Sequence, residues 1–238
     1  MNDPVSDSRQ ALESQFPRLF ELSLESKQDS AKWFHDSLLG IEQDLQKLDE
    51  AAWTVLKKKA ARYFCSQIHW GPPGSRFYQQ RQLFDCLHEA LGYIYLRQDG
   101  YQKIVFIPEQ SNQTTPDLLA SGPGKPTTVM EVKTVNESDK LRSYFSIPID
   151  GGRGLGTAIA VDETTCLDEA FARKLCSVLL HACKQLCAGT VSAERRIAYL
   201  VIRPDFNVDA NTTIETFLRK HSPPGIEIIV RFLPSDGW

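Results

Sequence analysis

The chain has 238 residues, of which 42% are hydrophobic and 24% are charged, and its formal net charge is −3. This composition excludes a wholly disordered or fibrous chain and is typical of a globular protein that is long enough to bury a full core. The slightly acidic balance excludes a general coat of positive charge, although a local basic groove is compatible with it. No apolar run reaches the roughly 18 residues of a membrane span, and the first ten residues are polar, unlike a secretory signal. We therefore expect an intracellular, cytoplasmic protein without a membrane partner.

The first 70 residues predict a helical region. Apolar side chains recur at helical spacing in three groups, which begin at Leu12, Trp33 and Trp53. Gly40 lies in the middle group, where it is expected to weaken that helix or to break it in two. Residues 70–74 include two adjacent prolines between glycines, through which no helix is expected to continue. This break places the domain boundary, with a helical region over residues 1–70 and an α/β domain over residues 71–238.

A dense basic cluster lies on the third predicted helix and consists of Lys57, Lys58, Lys59 and Arg62. Such a cluster is either a solvated helix face or a surface that contacts phosphates. From it we take Lys57, Lys58 and Arg62 as candidate nucleic-acid-binding residues. Arg153, within the glycine-rich residues 151–156, is a further candidate if that segment is a substrate-contacting loop rather than a plain surface loop.

The pattern changes after the proline-rich break. A helix is predicted over residues 77–98, and three short strands follow it, of which the third is rich in β-branched residues. Further along the chain a helix, a strand, a helix and a final strand are predicted. The predicted strands cover residues 103–108, 116–120, 127–135, 195–203 and 226–233, and the two later helices cover residues 168–188 and 212–220. This order predicts an α/β fold in which a mixed central sheet is flanked by helices, with an N-terminal helical extension.

The six cysteines form no CxxC pair. Cys176, Cys183 and Cys187 are spaced to lie on one face of the helix predicted over residues 168–188. We interpret them as small core residues in a reducing compartment. A zinc site from Cys183, Cys187 and His181 is disfavoured, because His181 points away from that face.

Two carboxylates and a lysine are predicted to meet on neighbouring strands. Asp117 follows Pro116, and Glu131 and Lys133 come shortly afterwards within one strand. Side chains alternate along a strand, so Glu131 and Lys133 share a face, and the glycine- and proline-rich turn brings Asp117 beside Glu131. One interpretation is an exposed edge strand that carries a simple Lys–Glu salt bridge.

The other interpretation is a metal-dependent catalytic site. Two carboxylates and a backbone carbonyl, here Asp117, Glu131 and the carbonyl of Val132, provide the hard oxygen ligands that Mg²⁺ or Mn²⁺ prefers. A cation held there activates water, and the neighbouring Lys133 can orient that water or stabilise developing negative charge. Phosphodiester hydrolysis needs this combination.

At these residues the sequence resembles the PD-(D/E)XK nuclease superfamily, whose motif corresponds to Pro116-Asp117 followed by Glu131-Val132-Lys133. The predicted order of elements over about residues 74–204 is also similar to the common core of that family. The resemblance implies a restriction-endonuclease-like fold and a Mg²⁺- or Mn²⁺-dependent nuclease that acts on DNA. An RNA endonuclease of the same fold and a non-catalytic nucleic-acid-binding or assembly module stay open. Many enzymes of this fold act as homodimers, so a homodimer stays open as well.

The resemblance adds two further sets of candidates. Many members place a glutamate on the helix before the first strand, which here implies Glu89 as a catalytic residue and metal ligand, with Asp85 as the alternative. The competing interpretation of Glu89 is an exposed residue on a helix surface. Members also place a polar or basic residue on the helix after the motif, and the candidates here are Lys174, Lys184 and Gln185, of which Lys184 joins the nucleic-acid-binding set.

Overall fold

The computed structural model describes residues 10–11, 13–26, 38–63, 73–108, 114–135, 169–188, 192–202 and 209–233. Four helices precede the first strand: α1 (Pro17–Glu25), α2 (Leu39–Leu45), α3 (Glu50–Ala61) and α4 (Pro73–Gln98). The remaining elements are β1 (Lys103–Phe106), β2 (Leu118–Gly122), β3 (Lys125–Val135), α5 (Glu169–Cys187), β4 (Arg195–Ile202), α6 (Asp209–Lys220) and β5 (Glu227–Phe232). This order of elements is the one that the sequence pattern predicts.

The five strands form one mixed sheet in the order β1-β2-β3-β4-β5. The first three strands are antiparallel neighbours, whereas β4 pairs in parallel with β3 and β5 in parallel with β4. Parallel neighbours need a crossover connection, and α5 and α6 lie in the two connections that lead to β4 and β5. The prediction of an α/β fold with a mixed central sheet is therefore confirmed.

Helices cover both faces of the sheet and create two hydrophobic clusters. Alternate residues of β4 point to opposite clusters: Ile197 and Tyr199 pack with helices α1–α4, whereas Ala198 and Leu200 pack with α5 and α6. The near-continuous apolar run of β4 follows from this burial on both faces. Helices α1–α3 share their cluster with α4 and with strands of the sheet, so the N-terminal helical region and the sheet pack around the same core.

Two helices start earlier than the sequence pattern predicts. Helix α4 starts at Pro73, inside the expected break and four residues before the expected start at Phe77. Proline is tolerated there because the N–H groups of a first helical turn have no intrahelical partner. Gly40 is the second residue of α2, and residues 33–37, where the predicted middle helix begins, lie outside the described residues. Helix α6 starts at Asp209 rather than at residue 212.

The hairpin between β2 and β3 is tighter than predicted. Gly122 pairs with Lys125, so β3 begins two residues before the expected start at Thr127. Gly124 has a φ of 69° in the connecting turn, a left-handed conformation that glycine adopts without steric cost. Strand β2 starts at Leu118, which leaves Asp117 immediately before the strand.

The cysteines are only partly core residues. Cys86 and Cys183 are buried, but Cys176 is half-buried and Cys187 is exposed, so the expectation of a buried role is wrong for Cys187.

None of the helices among the described residues has the length and apolar character needed to cross a bilayer.

Helix α4 approaches the sheet most closely at Gly92. A Cβ atom at this position would lie 2.7 Å from Cγ2 of Val132 and 2.8 Å from Sδ of Met130. Both contacts are shorter than van der Waals packing allows, so only glycine fits between the helix and β3.

We expect Gly92→Ala to lower the free energy of unfolding by about 1–3 kcal/mol, because the added methyl group overpacks the contact between α4 and β3. Gly40→Ala is the matched control, since a Cβ atom added there, on the exposed side of α2, would meet no atom within 4 Å. That substitution should leave stability unchanged or raise it by up to about 1 kcal/mol. Urea denaturation measures both effects, and equal stability of the two variants would contradict this packing.

Candidate functional site

A cleft of about 800 Å³ lies where β2 begins and β3 ends. Helices α3, α4 and α5 and the segment before β2 form its walls. Polar side chains from each of these elements point into it, among them Lys59, Glu89, Asp117, Lys133 and Gln185. The cleft thus gathers residues that lie far apart in the sequence.

Asp117 is held at the start of β2 by its own backbone. Its N–H donates to the carbonyl of Met130 at 3.1 Å, and its carbonyl accepts from the N–H of Ile107 at 2.8 Å. Its Oδ2 accepts a hydrogen bond from the backbone N–H of Val132 at 2.9 Å. Asp117 is therefore hydrogen-bonded to Val132, the residue between Glu131 and Lys133. The sequence analysis predicts Asp117 at this place.

Glu131 and Lys133 lie on a central strand. Because Val129 and Val135 pack in the cluster with α5, the alternation of side chains places Glu131 and Lys133 on that face of β3 as well. The Glu131 side chain is 0% exposed, and Nζ of Lys133 contacts its Oε1. Strand β3 pairs with β2 on one side and with β4 on the other, so the interpretation of an exposed edge strand is wrong.

Glu89 comes from α4 and is 5% exposed, so the interpretation of an exposed surface glutamate is wrong. It is buried because α3 covers the side of α4 on which it lies. Its Oε1 accepts a hydrogen bond from Nζ of Lys59 at 2.7 Å. The same Nζ lies 3.5 Å from Oδ1 of Asp117. Lys59 thus joins the helix carboxylate to the carboxylate at the start of β2.

Lys59 is the residue of this site that the sequence analysis did not select. Its only sequence signal is its position beside Leu56 and Ala60, the buried positions of α3, which turns it inward within the basic cluster. The contact partners of that inward face belong to α4 and β2, and the sequence pattern of α3 contains no information about them.

Burial and mutual repulsion raise the proton affinity of the carboxyl groups. Burial, followed by the charge of Asp117, raises the pKa of Glu131 to about 8. The same two causes raise the pKa of Glu89 well above its usual range. Burial alone would lower the pKa of Lys59, but Glu89 and Asp117 raise it above its ordinary value, so Lys59 is a cation. A positive charge close to these carboxyl groups is therefore stabilised by them.

The candidate nucleic-acid-binding residues occupy different places. Arg62 is exposed and lines the cleft. Lys57 instead pairs with Glu21 at 3.2 Å, and Lys58 is exposed on α3 outside the cleft lining. Lys184 is exposed on α5 and also lies outside that lining. Arg153 lies outside the described residues.

Other polar side chains of α4 and α5 lie at or near the cleft. Asp85 lines the cleft one turn before Glu89. His88 lies on the α4 side of the sheet, where its Nδ1 is 2.9 Å from Oγ1 of Thr134. On the opposite wall, Nε2 of Gln185 donates to the carbonyl of Thr115 at 3.4 Å, so α5 contacts the segment that carries Asp117.

The donor atoms match the chemistry of a hard divalent cation. Oε2 of Glu89 and Oε2 of Glu131 are buried and make no hydrogen bond within the described part of the chain. Carboxylate oxygens of this kind are the ligands of Mg²⁺ and Mn²⁺. In the present arrangement, no three His, Cys, Asp or Glu side chains of the described residues are gathered closely enough to hold a metal ion. In the described part of the chain, the ammonium group of Lys59 contacts Glu89 and Asp117, and that of Lys133 contacts Glu131.

Comparisons with models of known families, with curated proteins and with solved structures find no match for this chain. A functional assignment therefore depends on the geometry and chemistry of the cleft itself.

We expect the free energy of unfolding, measured with EDTA present, to fall as the pH rises from about 5 to 8. The pKa of Glu131 is about 8 in the folded protein, above the 4.5 of a free glutamate, so the folded state binds more protons in this window. A tenfold difference in proton affinity corresponds to about 1.4 kcal/mol, so the loss should reach about 2 kcal/mol or more.

Glu131→Gln should flatten this pH dependence, because the amide does not titrate. Glu25→Gln, at an exposed position of α1, is the control and should keep the wild-type profile. Denaturant titrations at several pH values measure the effect. An unchanged slope in Glu131→Gln would mean that Glu131 is ionised in the folded protein throughout this range.

Proposed function

We propose that this chain is a Mg²⁺- or Mn²⁺-dependent nuclease that hydrolyses phosphodiester bonds, with DNA as its substrate. The observation that carries the proposal is that Asp117, Lys133 and Glu89 line one cleft, with the buried Glu131 in contact with Lys133, although these residues come from α4, from the start of β2 and from β3. A purely structural cluster gives no reason to bury so many carboxyl groups, because buried ion pairs are weak sources of stability.

The order of elements supports a restriction-endonuclease-like fold within this proposal. Helix α4 is followed by the antiparallel strands β1–β3, by α5 and by β4 parallel to β3. In this arrangement the start of β2 and the end of β3 lie side by side, and the motif residues lie at that place.

In the proposed mechanism, Asp117 and Glu131 would hold the cation, the carbonyl of Val132 would complete the ligand set, and Glu89 would support it from α4. When bound, the cation lowers the pKa of a coordinated water and neutralises charge on a phosphate oxygen. The buried position of Glu131 fixes its carboxylate before substrate arrives. The N–H of Val132 occupies Oδ2 of Asp117, so Oδ1, which lies 3.5 Å from Nζ of Lys59, is the oxygen that would be available to a cation.

Lys133 provides the positive charge that the chemistry needs. Its ammonium group contacts Glu131 and lines the cleft, with 29% of the side chain exposed, so it can reach a bound phosphate without leaving its partner. There it orients the attacking water and stabilises the negative charge that develops on the phosphate. Arg62 lies exposed on the wall formed by α3, where it can contact the phosphodiester backbone.

The proposal is tested by incubating the full chain with Mg²⁺ or Mn²⁺ and plasmid DNA, linear duplex, single-stranded DNA or RNA. Cleavage of DNA that EDTA abolishes is the expected result. Cleavage confined to RNA would make the chain an RNA endonuclease, whereas binding without cleavage of any substrate would make it a nucleic-acid-binding module.

We expect Lys133→Ala to lower the cleavage rate about 10²–10³-fold, because it removes a preorganised charge that acts mainly in the transition state. Nucleic-acid affinity should change little, since other phosphate contacts provide it, and Mn²⁺ binding should be retained, because Lys133 is not a metal ligand. Lys103→Ala is the matched control, as Lys103 is an exposed strand lysine outside the cleft. Glu131→Ala should abolish both Mn²⁺ binding and cleavage. Full activity of Lys133→Ala would contradict the proposed role of this lysine.

We expect Glu89→Gln to reduce cleavage about tenfold to a hundredfold while the fold is retained, because it removes a carboxylate that supports the cation. Asp85→Asn is the control on the same helix and at the same cleft. Circular dichroism checks the fold and a plasmid-nicking assay checks the rate. A large loss in Asp85→Asn with none in Glu89→Gln would assign the supporting role to Asp85.

A further inference from the structure

Helix α3 holds Lys59 in a fixed position at the cleft. Asp49 caps the helix by accepting a hydrogen bond from the N–H of Ala52 at 2.9 Å. The other carboxylate oxygen of Asp49 accepts from the hydroxyl of Tyr93 at 2.5 Å and from Arg97 at 3.0 Å, which ties the start of α3 to α4. The buried Trp53 anchors the same helix. Lys59 therefore reaches the site from a helix that is itself firmly attached to α4.

The ammonium group of Lys59 lies where positive charge is most needed. It contacts Glu89 at 2.7 Å and Asp117 at 3.5 Å, and its side chain is only 13% exposed. Two of the oxygens that it contacts belong to carboxylates that the proposed nuclease uses for its cation. A divalent cation and this ammonium group repel each other, and they compete for the same oxygens.

We infer that Lys59 is a tethered cation that holds Glu89 and Asp117 together in the metal-free protein and that a metal ion displaces when it binds. This inference rests on the proposed function, because it takes these carboxylates as metal ligands. Lys59 is a positioning residue in this scheme: it keeps two mutually repelling carboxylates in place until the metal ion arrives. The N-terminal helices thereby set the metal affinity of a site that the sheet and α4 build.

The inference predicts that removing the ammonium group of Lys59 has opposite effects on the stability of the metal-free protein and on its metal affinity. Removing the ammonium group leaves the carboxylates uncompensated, so the metal-free protein should melt at a lower temperature. The same removal abolishes the competition, so Mn²⁺ should bind more tightly. A residue that only stabilised the fold would lower the melting temperature without tightening metal binding.

The experiment is calorimetric titration of Mn²⁺ into the full chain, carried out on wild type, Lys59→Gln and the control Lys58→Gln. Lys58 is the exposed neighbour of Lys59 on α3 and has no role in the cleft. We expect Lys59→Gln to bind Mn²⁺ about tenfold to a hundredfold more tightly than wild type, and Lys58→Gln to bind as wild type does. Thermal melts should show a lower metal-free melting temperature and a larger gain from Mn²⁺ in Lys59→Gln alone.

A second measurement uses the wild-type protein and so does not depend on the folding of a variant. Reductive methylation of lysines, read by mass spectrometry, should modify Lys59 several-fold faster in saturating Mg²⁺ than in EDTA, while Lys58 reacts equally in both. Unchanged protection of Lys59, or Mn²⁺ affinity that is equal or weaker in Lys59→Gln, would overturn the inference and leave the proposed nuclease standing. Absence of Mn²⁺ binding in wild type and variants alike would overturn both.

Discussion

Negative charge buried at the junction of α4 with the start of β2 is the constraint on which this cleft depends. Glu89 and Glu131 are almost fully withdrawn from water, and the negative charge of Asp117 repels both. An uncompensated charge in such a place is costly, so the chain must supply protons, ammonium groups or an external cation. Lys59 and Lys133 supply two ammonium groups, and burial raises the pKa of Glu131, which favours retention of a proton there.

The two sides of the sheet contribute unequally to this arrangement. Glu131 and Lys133 belong to the face of β3 that α5 covers, whereas Glu89 comes from α4 on the other face. Asp117 can interact with both because it precedes β2, where the strand has not yet begun and the side chain is not confined to one face. The position of Asp117 just before β2 therefore lets residues from both faces of the sheet contribute to one site.

The N-terminal helices are packed into the same structure as the sheet and contribute to the site. They pack into the same hydrophobic cluster as α4 and strands of the sheet, and α3 delivers Lys59 to the cleft. The contact between α3 and α4 is reinforced by the polar cluster of Asp49, Tyr93 and Arg97. Any rearrangement of α3 would thus change the charge balance at the carboxylates directly.

The sequence by itself determined the order of the elements and the chemistry of the strand motif. Periodicity of two or of about 3.6 residues is a local property, so β3, β4, α5 and the helical character of the first 70 residues could be predicted from the pattern. The pairing of Asp117 with the Glu131–Lys133 strand could also be predicted, because a short turn leaves adjacent antiparallel strands as the simplest outcome.

The tertiary structure alone decided which charges face the cleft. Lys57, Lys58 and Lys59 are adjacent in the sequence, yet one pairs with Glu21, one is exposed and one contacts Glu89 and Asp117. Whether Glu89 is exposed depended in the same way on α3 lying over α4. Such contacts join residues about 30 or more positions apart, and they are set by how helices pack against each other rather than by the residue pattern of either helix.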